Sequence, residues 1–330
     1  MEHIKSHFLA KIVELLIVPG RLVQIDLFLK EYYITISIII HLAINIMLKS
    51  FKHNLNHVSV PPFIYGTAWK KEKTQMLTLQ ALENGYLGID TANQLKHYFE
   101  EGVGLGIQQF LKNTGKSRGD LFLQTKFTPA SSQDHNKPYN ETDSYSNQVR
   151  QSFLSSLDHL QTDYIDSYIL HGPTYYSKVV QDDLDIWKAM EDLYYEGKVR
   201  LLGVSNVDLE QLKVLYNAAV IKPSLVQNRC FASSYWDFSI RSFCKKHNIL
   251  YQGFSLLTAN QSYLLTNKMH EIATQYKKSI PQIIFRFALQ IGIVPLTGTS
   301  NQQHMKEDLD LDSFELSSDV VKLIEEINKS

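Results

Sequence analysis

Four side chains with complementary acid–base chemistry stand close to the ends of successive apolar runs. Asp90, Lys126 and His171 each end one such run, and Tyr98 follows Asp90 beside the start of a segment of helical period. A carboxylate holds an ammonium group charged, and a charged ammonium lowers the pKa of a neighbouring phenol from its usual value of about 10. These residue types therefore indicate general acid catalysis by a tyrosine at neutral pH.

Each residue also has a purely structural interpretation. Asp90 could cap the helix that follows it, Lys126 could extend along apolar surface to solvent, and His171 could be a hydrogen-bonded core histidine. Their joint placement at strand ends favours the catalytic interpretation. A tuned tyrosine would protonate a carbonyl oxygen while hydride reaches the carbon, with His171 orienting the carbonyl. No side chain can supply hydride, so a nicotinamide cofactor is implied.

The elements that must position these residues alternate from Val58 onward between short apolar runs and longer segments of helical period. This pattern is typical of a parallel sheet covered by helices. Eight units in about 270 residues predict one closed (β/α)8 barrel, a TIM barrel, and no strand is followed by the G-x-G-x-x-G of a Rossmann fold. The strand candidates are PPFIYG (61–66), YLGIDTA (86–92), LFLQTK (121–126), YIDSYILH (164–171), RLLGVSN (200–206), SLVQNR (224–229), ILYQGFS (249–255) and GIVPLTG (292–298).

Further polar residues end other predicted strands, namely Ser205, Asn206, Gln227 and Asn228. In a barrel, the carboxyl ends of the strands converge on one pocket, so these residues join the candidate site. One long polar connection, residues 127–147, follows the third strand on the same face. A loop of that length either lines a site or is an irregular surface segment, and its tyrosines are compatible with both.

The composition favours a small-molecule function. The net charge is -1 and the pI about 6.9, so no basic field is available for nucleic acid or an anionic membrane surface. The chain has two cysteines, Cys230 and Cys244, without metal-ligand spacing. Neither a disulfide framework nor a metal site is therefore expected, and a cytoplasmic location is predicted.

The first residues, 1–57, form an atypical apolar extension ahead of a barrel over 58–330. The run YYITISIIIHLAINIML, 32–48, is near the lower limit for spanning a bilayer of about 30 Å. Three interpretations stay open: a true start at Met47, a membrane-anchored helix, or an ordinary packed helix. A secretory signal is disfavoured because the run starts late and no small-residue cleavage site follows it.

From about Val58 to Ser330 the chain resembles the aldo-keto reductases. The resemblance rests on five motifs in the family's order, of which the last two are long and specific: GTAWK (66–70), IDTA (89–92), QTK (124–126), LQTDYIDSYILHGP (160–173) and GKVRLLGVSN (197–206). It implies a (β/α)8 barrel, NADP(H) bound in an extended form, and reversible carbonyl reduction by an Asp, Tyr, Lys and His tetrad.

Three tetrad positions match without adjustment, namely Asp90, Lys126 and His171. The tyrosine departs, because the commoner pattern places it five residues after the aspartate, where this chain has Leu95. KHYFEEGVG resembles the family's tyrosine followed by glutamate and Val-Gly, which implies a loop insertion of about three residues and assigns the role to Tyr98. His97 competes by spacing from the glutamate, but a phenol fits the acid role better.

The resemblance also implies a cofactor site. Residues matching the turn after the first strand, the carboxamide contacts and the stacking position are Gly66, Thr67, Ala68, Ser205, Asn206, Gln227, Phe254 and Ser255. Phe254 stands where tyrosine is commoner, and its phenyl ring can still stack; as a strand-end phenylalanine it could also be a core residue.

At the adenosine end, the resemblance places four residues around the phosphates and two near the adenine, namely Thr297, Gly298, Thr299, Ser300, Glu307 and Asp308. Ser300 and His304 stand where relatives commonly have a lysine and an arginine for the 2'-phosphate. Charge-assisted contacts to phosphate are about twice as strong as neutral ones, so their loss weakens discrimination for NADP(H). NADP(H) is the expected cofactor, with NAD(H) as the alternative.

The expected function is NAD(P)H-dependent reduction of an aldehyde or ketone to an alcohol, as an oxidoreductase acting on CH–OH. The alternatives are a non-catalytic nucleotide-binding barrel that regulates a protein partner, and a reductase tethered to a membrane if 32–48 is a real anchor. The expected partner is a small carbonyl compound, and the expected assembly is a monomer or weak oligomer.

Overall fold

The structure is a computed structural model that describes residues 53–175 and 177–329. The chain from Phe51 to Ser330 forms one compact unit. The interpretations of the apolar run 32–48 and of a start at Met47 concern residues outside the described part. Within the described part, no helix has both the length and the apolar character needed to cross a membrane.

An antiparallel hairpin of β1 (His53–Leu55) and β2 (Val58–Val60) precedes the barrel and was not predicted. It includes residues on both sides of the boundary predicted between 57 and 58. Val58 and Val60 of the hairpin pack with apolar residues of the barrel interior, including Phe122 and Leu225, which begin their strands. The hairpin therefore closes the amino-terminal end of the barrel, opposite the face where the strands end.

Eight parallel strands close into a barrel in which the last strand pairs both with the first and with the strand before it. The predicted (β/α)8 barrel is confirmed, and each strand candidate overlaps one barrel strand, with Phe127 and Val199 lying one residue outside their candidates. The barrel strands are β3 (Ile64–Gly66), β4 (Gly88–Asp90), β5 (Phe122–Phe127), β6 (Ile165–Leu170), β7 (Val199–Ser205), β8 (Leu225–Arg229), β9 (Leu250–Phe254) and β10 (Ile293–Thr297).

Helices cover the barrel and bury their apolar faces on the outside of the strands. Several begin at side-chain caps, such as Ser144, Asp208 and Ser279, which satisfy free backbone N–H groups. The helices are α1 (Thr74–Glu83), α2 (Glu100–Thr114), α3 (Tyr145–Leu160), α4 (Gln181–Tyr195), α5 (Leu209–Ala218), α6 (Phe238–Lys246), α7 (Gln261–Leu264), α8 (Asn267–Tyr276), α9 (Ile280–Gln290), α10 (Gln302–Leu309) and α11 (Ser318–Glu325).

Candidate active site

Asp90 and Lys126 form a buried ion pair at the ends of β4 and β5. The ammonium Nζ lies 2.6 Å from Asp90 Oδ1 and donates a second hydrogen bond of 2.7 Å to the carbonyl of Thr91. Asp90 is 4 % exposed and Lys126 1 % exposed. Burial lowers the pKa of Lys126, while the Asp90 carboxylate beside it acts in the opposite direction. A close and well hydrogen-bonded pair is what keeps both groups charged in such a place.

Three fully or nearly buried glutamines support this pair from inside the barrel. Gln124 and Gln227 donate to Asp90 Oδ1 at 2.7 and 3.0 Å. Gln252 exchanges hydrogen bonds with Gln124 at 2.9 and 3.1 Å and accepts another from Gln227 at 3.0 Å. The glutamine cluster therefore fixes the position of the Asp90 carboxylate.

Tyr98 lies beside this pair. Its ring packs edge-on against the imidazole of His171 with 5.9 Å between ring centroids, and Lys126 Nζ lies 5.5 Å from the tyrosine centroid. The imidazole of His97, the competing candidate, lies against the indole of Trp69 with 3.8 Å between ring centroids. It does not line the cavity that holds Tyr98 and His171. The geometry therefore favours Tyr98 for the acid position.

A turn at Gln94 sets the place of Tyr98. The backbone N–H groups of His97 and Tyr98 both donate to the carbonyl of Gln94 at 3.0 Å. Two residues after Tyr98, the buried Glu100 begins α2 and accepts hydrogen bonds from Thr125 on β5 and Ser156 on α3. Hydrogen bonds before Tyr98, at Gln94, and after it, at Glu100, thus hold this part of the chain in place.

Burial raises the pKa of Tyr98 above its ordinary value, and the charge of Asp90 raises it further. This direction is opposite to the lowered pKa expected from the sequence. The physical reason is that burial disfavours a charged phenolate by more than the nearby ammonium of Lys126 favours it. The phenol is consequently protonated at neutral pH and can act as a proton donor.

His171 is neutral at physiological pH, because burial and then the charge of Lys126 lower its pKa to about 3. Its Nδ1 lies 2.7 Å from Thr128 Oγ1. The carbonyl of Thr128 accepts a hydrogen bond of 2.7 Å from the hydroxyl of Tyr139, whose ring stacks on Phe127 at 5.4 Å. The start of the long loop 127–147 is therefore anchored beside the site.

A cavity of about 700 Å³ opens at the carboxyl ends of the strands, within the range of ligand sites. Most predicted site residues line it together, and the described lining also includes Trp69 and Lys70. Four predicted residues do not line it: Lys126 is buried behind Asp90, Thr67 is buried with its hydroxyl on the Asp90 carbonyl, Asn228 is buried with its amide donating to the Val207 carbonyl, and Ser300 is exposed. The predicted residues that line it are Gly66, Ala68, Asp90, Tyr98, His171, Ser205, Asn206, Gln227, Phe254, Ser255, Thr297, Gly298, Thr299, His304, Glu307 and Asp308.

The end of this cavity beside the tetrad is rigid. Asn206 has φ 55° and donates to the carbonyl of His171 at 2.8 Å and to Ser205 Oγ at 3.1 Å. Ser205 Oγ donates in turn to the Gln227 carbonyl at 2.5 Å. Ser255, after Phe254, also has a positive φ of 56°. Non-glycine residues in this conformation cluster at functional sites.

The opposite end carries acidic groups. Thr297 Oγ1 donates to Asp308 Oδ2 at 2.9 Å, and burial raises the pKa of Asp308 to about 6. Between the two ends, the ammonium of Lys70 donates to the Gly298 carbonyl. His304 lines the cavity at the start of α10, where its backbone N–H donates to Asn301 Oδ1 at 3.3 Å.

Sequence reasoning missed several residues of the site. Lys70 lies inside the quoted motif GTAWK, so its charge at a strand end was a usable signal. Thr128 and Gln94 carried no signal, because their roles depend on loop geometry. Gln124 and Gln252 could have been flagged as amides inside apolar strands, although their contact across 128 positions could not.

This geometry agrees with the family match of the sequence. A sequence model described as the Aldo/keto reductase family matches residues 64–329, and the chain belongs to that family. The resemblance seen in the motifs is thereby confirmed.

Individual relatives give the range of similarity. The glyoxal reductase of Bacillus subtilis is 35% identical over 251 residues, which are 76% of this chain and 81% of that protein. The methylglyoxal reductase DkgA of Escherichia coli O157:H7 is 29% identical over 254 residues, 76% of this chain and 84% of that protein. A crystal structure of a Bombyx mori aldo-keto reductase in complex with NADP has a TM-score of 0.71 at 26% identity, covering 84% of this chain and 92% of that one.

Proposed function

We propose that this protein reduces an aldehyde or ketone to an alcohol with NADP(H), reversibly, and that Tyr98 is the general acid. The observation that carries the proposal is the convergence of Tyr98, His171 and the Asp90–Lys126 pair at one end of a cavity of about 700 Å³. The similarity of the chain to glyoxal and methylglyoxal reductases supports a small carbonyl substrate.

The proton comes from Tyr98. A carbonyl oxygen bound between Tyr98 and His171 accepts the phenolic proton as its C=O bond becomes a C–O single bond, and the product is an alcohol. When bound, a reduced nicotinamide supplies the hydride to the carbonyl carbon. Lys126 stabilises the phenolate left on Tyr98, because its ammonium lies 5.5 Å from the ring centroid. In the reverse direction the same phenolate accepts the alcohol proton.

His171 orients the substrate as a neutral hydrogen-bond donor. Its pKa of about 3 excludes an imidazolium as proton source at neutral pH. If the Thr128 hydroxyl donates to Nδ1 across their 2.7 Å contact, the imidazole proton resides on Nε2 and can be donated to the substrate oxygen.

The residues along the cavity fit an extended dinucleotide. Ser205, Asn206 and Gln227 offer polar groups for a carboxamide beside the face of Phe254, and Lys70 offers a cation beside Gly298 for the phosphates. The Bombyx mori aldo-keto reductase, which is similar in fold and was crystallised with NADP, supports NADP(H) as the cofactor. NAD(H) is the alternative, because Ser300 and His304 supply no permanent positive charge for a 2'-phosphate.

Replacement of Tyr98 by Phe tests the proposal. We expect Tyr98→Phe to bind NADPH normally and to lose about 100-fold or more in kcat with an aldehyde, which is the usual contribution of a general acid. The measurement is NADPH oxidation, followed by its absorbance, with the full chain and a panel of short aldehydes and ketones. Tyr195→Phe, on an exposed tyrosine of α4, is the matched control.

Two results would contradict the proposal. One is a full-length protein that binds NADPH and oxidises it with no carbonyl in the panel, as expected of a nucleotide-binding regulator. The other is a Tyr98→Phe variant that retains wild-type kcat, which would remove the phenol from the chemistry.

A further inference from the structure

A second cavity, of about 420 Å³, adjoins the proposed site on the far side of His171. It shares His171 and Asn206 with the first cavity, and its other walls include Gln94, Ser132 and Gly172. The cavity therefore borders the place where His171 would hold a carbonyl group. We call it the His171-side cavity.

The His171-side cavity offers hydrogen-bonding capacity that the protein does not use itself. Gln94 donates from Nε2 to the carbonyl of Ser132 at 2.7 Å, and its Oε1 has no hydrogen-bond partner among the described residues. The Ser132 hydroxyl likewise has none among them, while Ser131 Oγ donates to the Thr174 carbonyl at 2.9 Å. A ligand in this cavity would meet an amide and a hydroxyl.

The opposite flank of the site has a different character. A neighbouring cavity of about 500 Å³, lined by Tyr98, is walled by Trp69, Leu95 and Phe99, whose apolar surfaces are exposed, and by two lysines. The two cavities beside the site thus differ in the side chains that line them. Oxygen-bearing groups match the His171-side cavity, whereas apolar groups match the Trp69 side.

Two residues shape the His171-side cavity: Gly172, which has no side chain to fill it, and Gln94, which lines it. Gly172 follows His171 without a side chain, and a Cβ there would meet only ordinary contacts, 3.6 Å from Asn206 Cβ and 3.7 Å from the Ser205 carbonyl. The loop between Asp90 and Tyr98 delivers Gln94, whose carbonyl anchors Tyr98 and whose side chain enters this wall. The backbone carbonyl of Gln94 therefore positions Tyr98, whereas its side chain lines the cavity.

We propose that Gln94, with Ser132, determines substrate specificity by binding a second oxygen of the substrate, so that the protein acts on short carbonyl compounds with a hydroxyl or carbonyl oxygen on the adjacent carbon. This inference rests on the proposed reductase function. The substrate oxygen donates to Gln94 Oε1 when it is a hydroxyl and accepts from the Ser132 hydroxyl when it is a carbonyl. The buried amide oxygen of Gln94, left unpaired when an alkyl group takes the place of the substrate hydroxyl, is the physical basis of the discrimination, and the exposed Ser132 hydroxyl adds a donor at the mouth of the cavity.

The test compares glycolaldehyde with propanal, which differ by a hydroxyl in place of a methyl group. An α-oxygen also makes a carbonyl carbon more electrophilic, so the change in the ratio of the two kcat/KM values upon mutation is the measured quantity. We expect Gln94→Leu to lower the ratio of glycolaldehyde to propanal about 5- to 10-fold, the usual effect of one lost hydrogen bond. Ser132→Ala, tested with methylglyoxal against butanone, is expected to act similarly.

Gln109→Leu is the matched control, because Gln109 is an exposed glutamine of α2 outside the cavities, and we expect it to leave both ratios unchanged. The inference is overturned if folded Gln94→Leu and Ser132→Ala both keep the wild-type ratios. If Gln94→Leu does not fold, the ratio of kcat/KM values measured with Ser132→Ala decides whether the inference holds. Failure of the wild-type protein to reduce any carbonyl is a different result, which contradicts the proposed function itself.

Discussion

Thr128 is the residue whose chemistry is least expected from its type. Its hydroxyl lies 2.7 Å from His171 Nδ1, and its carbonyl is held by Tyr139 at 2.7 Å. A threonine placed in this way can hold the imidazole in the tautomer that donates from Nε2. The orientation of a neutral histidine is thereby controlled by a neighbour that does not touch the substrate.

We expect Thr128→Val to lower kcat about tenfold with little change in the dissociation constant for NADPH, because the valine keeps the shape and removes the hydrogen bond. Thr128→Ser should restore most of kcat. Steady-state kinetics measure kcat, and fluorescence titration with NADPH measures the dissociation constant. Thr274→Val, at an exposed position of α8, is the control. An unaltered kcat in Thr128→Val would show that the tautomer is set in another way.

The lowered pKa of His171 also makes stability depend on pH. The unfolded chain binds a proton at this histidine below about pH 6.5, whereas the folded protein binds it only near its pKa of about 3. The unfolded state thus holds more protons between these values, and the free energy of unfolding falls as the pH decreases through this window. Urea denaturation on either side of the unfolded pKa should show this loss, and His171→Gln should reduce it. Equal pH slopes in both proteins would refute the assignment.

At the scale of elements, α2 connects the catalytic tyrosine with the rest of the barrel. Glu100, at its first position, bonds to Thr125 of β5 and Ser156 of α3. Further along α2, Gly104 lies against the backbone of α3, and a Cβ there would come within 2.1 Å of the His159 carbonyl. The close approach of the two helices therefore requires glycine at this position.

Gly104→Ala is expected to reduce the free energy of unfolding by about 1–3 kcal/mol, because the backbone of α3 must move to admit the methyl group. Activity should fall as well, since α2 begins two residues after Tyr98. Gly119→Ala, where the nearest atom would be Ser117 Oγ at 3.6 Å, is the control and should have no effect. Chemical denaturation measures both variants, and equal stability would contradict the tight packing of α2 on α3.

The same elements show what the sequence can and cannot predict. All eight barrel strands were predicted, because apolar runs buried on both faces stand out from helical segments. The hairpin His53–Leu55 and Val58–Val60 was missed because its first strand, HNL, contains no apolar run. The position of Tyr98 was open because it depends on a turn around Gln94 that no periodicity reveals.

Contacts between polar residues far apart in the sequence were the second feature that the sequence could not predict. Asp90, Lys126 and His171 were selected because strand ends converge in a barrel whatever the side chains. Gln124 and Gln252 belong to the same cluster, but a parallel strand buried on both faces does not reveal which residues point inward. The direction of the Tyr98 pKa shift was likewise inaccessible, because it depends on how completely the folded chain buries the phenol.

At the scale of the whole molecule, the two ends of the barrel differ: one end is closed by apolar packing, and the other carries the cavity. The hairpin and an apolar cluster close the amino-terminal end, while the polar cluster and the cavity lie at the carboxyl ends of the strands. A net charge of -1 supplies almost no long-range attraction for an anionic cofactor. Recognition of the cofactor charge therefore falls to individual side chains, and among the described residues that line the cavity Lys70 is the one lysine or arginine.

This distribution of charge leads to a prediction about cofactor preference. We expect the wild-type protein to prefer NADPH over NADH by about tenfold or less near neutral pH, because His304 and Ser300 are the available partners for a 2'-phosphate. His304→Arg adds a permanent charge, and a charge-assisted hydrogen bond contributes about 1.5–3 kcal/mol, so the preference should rise tenfold or more. The affinity of this variant for NADPH should weaken more steeply with added salt than its affinity for NADH, because the added charge pairs with the 2'-phosphate. Paired titrations at two ionic strengths measure these quantities, with Lys306→Arg on the exposed side of α10 as the control for added guanidinium. A wild-type preference of several hundredfold would mean that another group holds the 2'-phosphate and would contradict the assignment of His304.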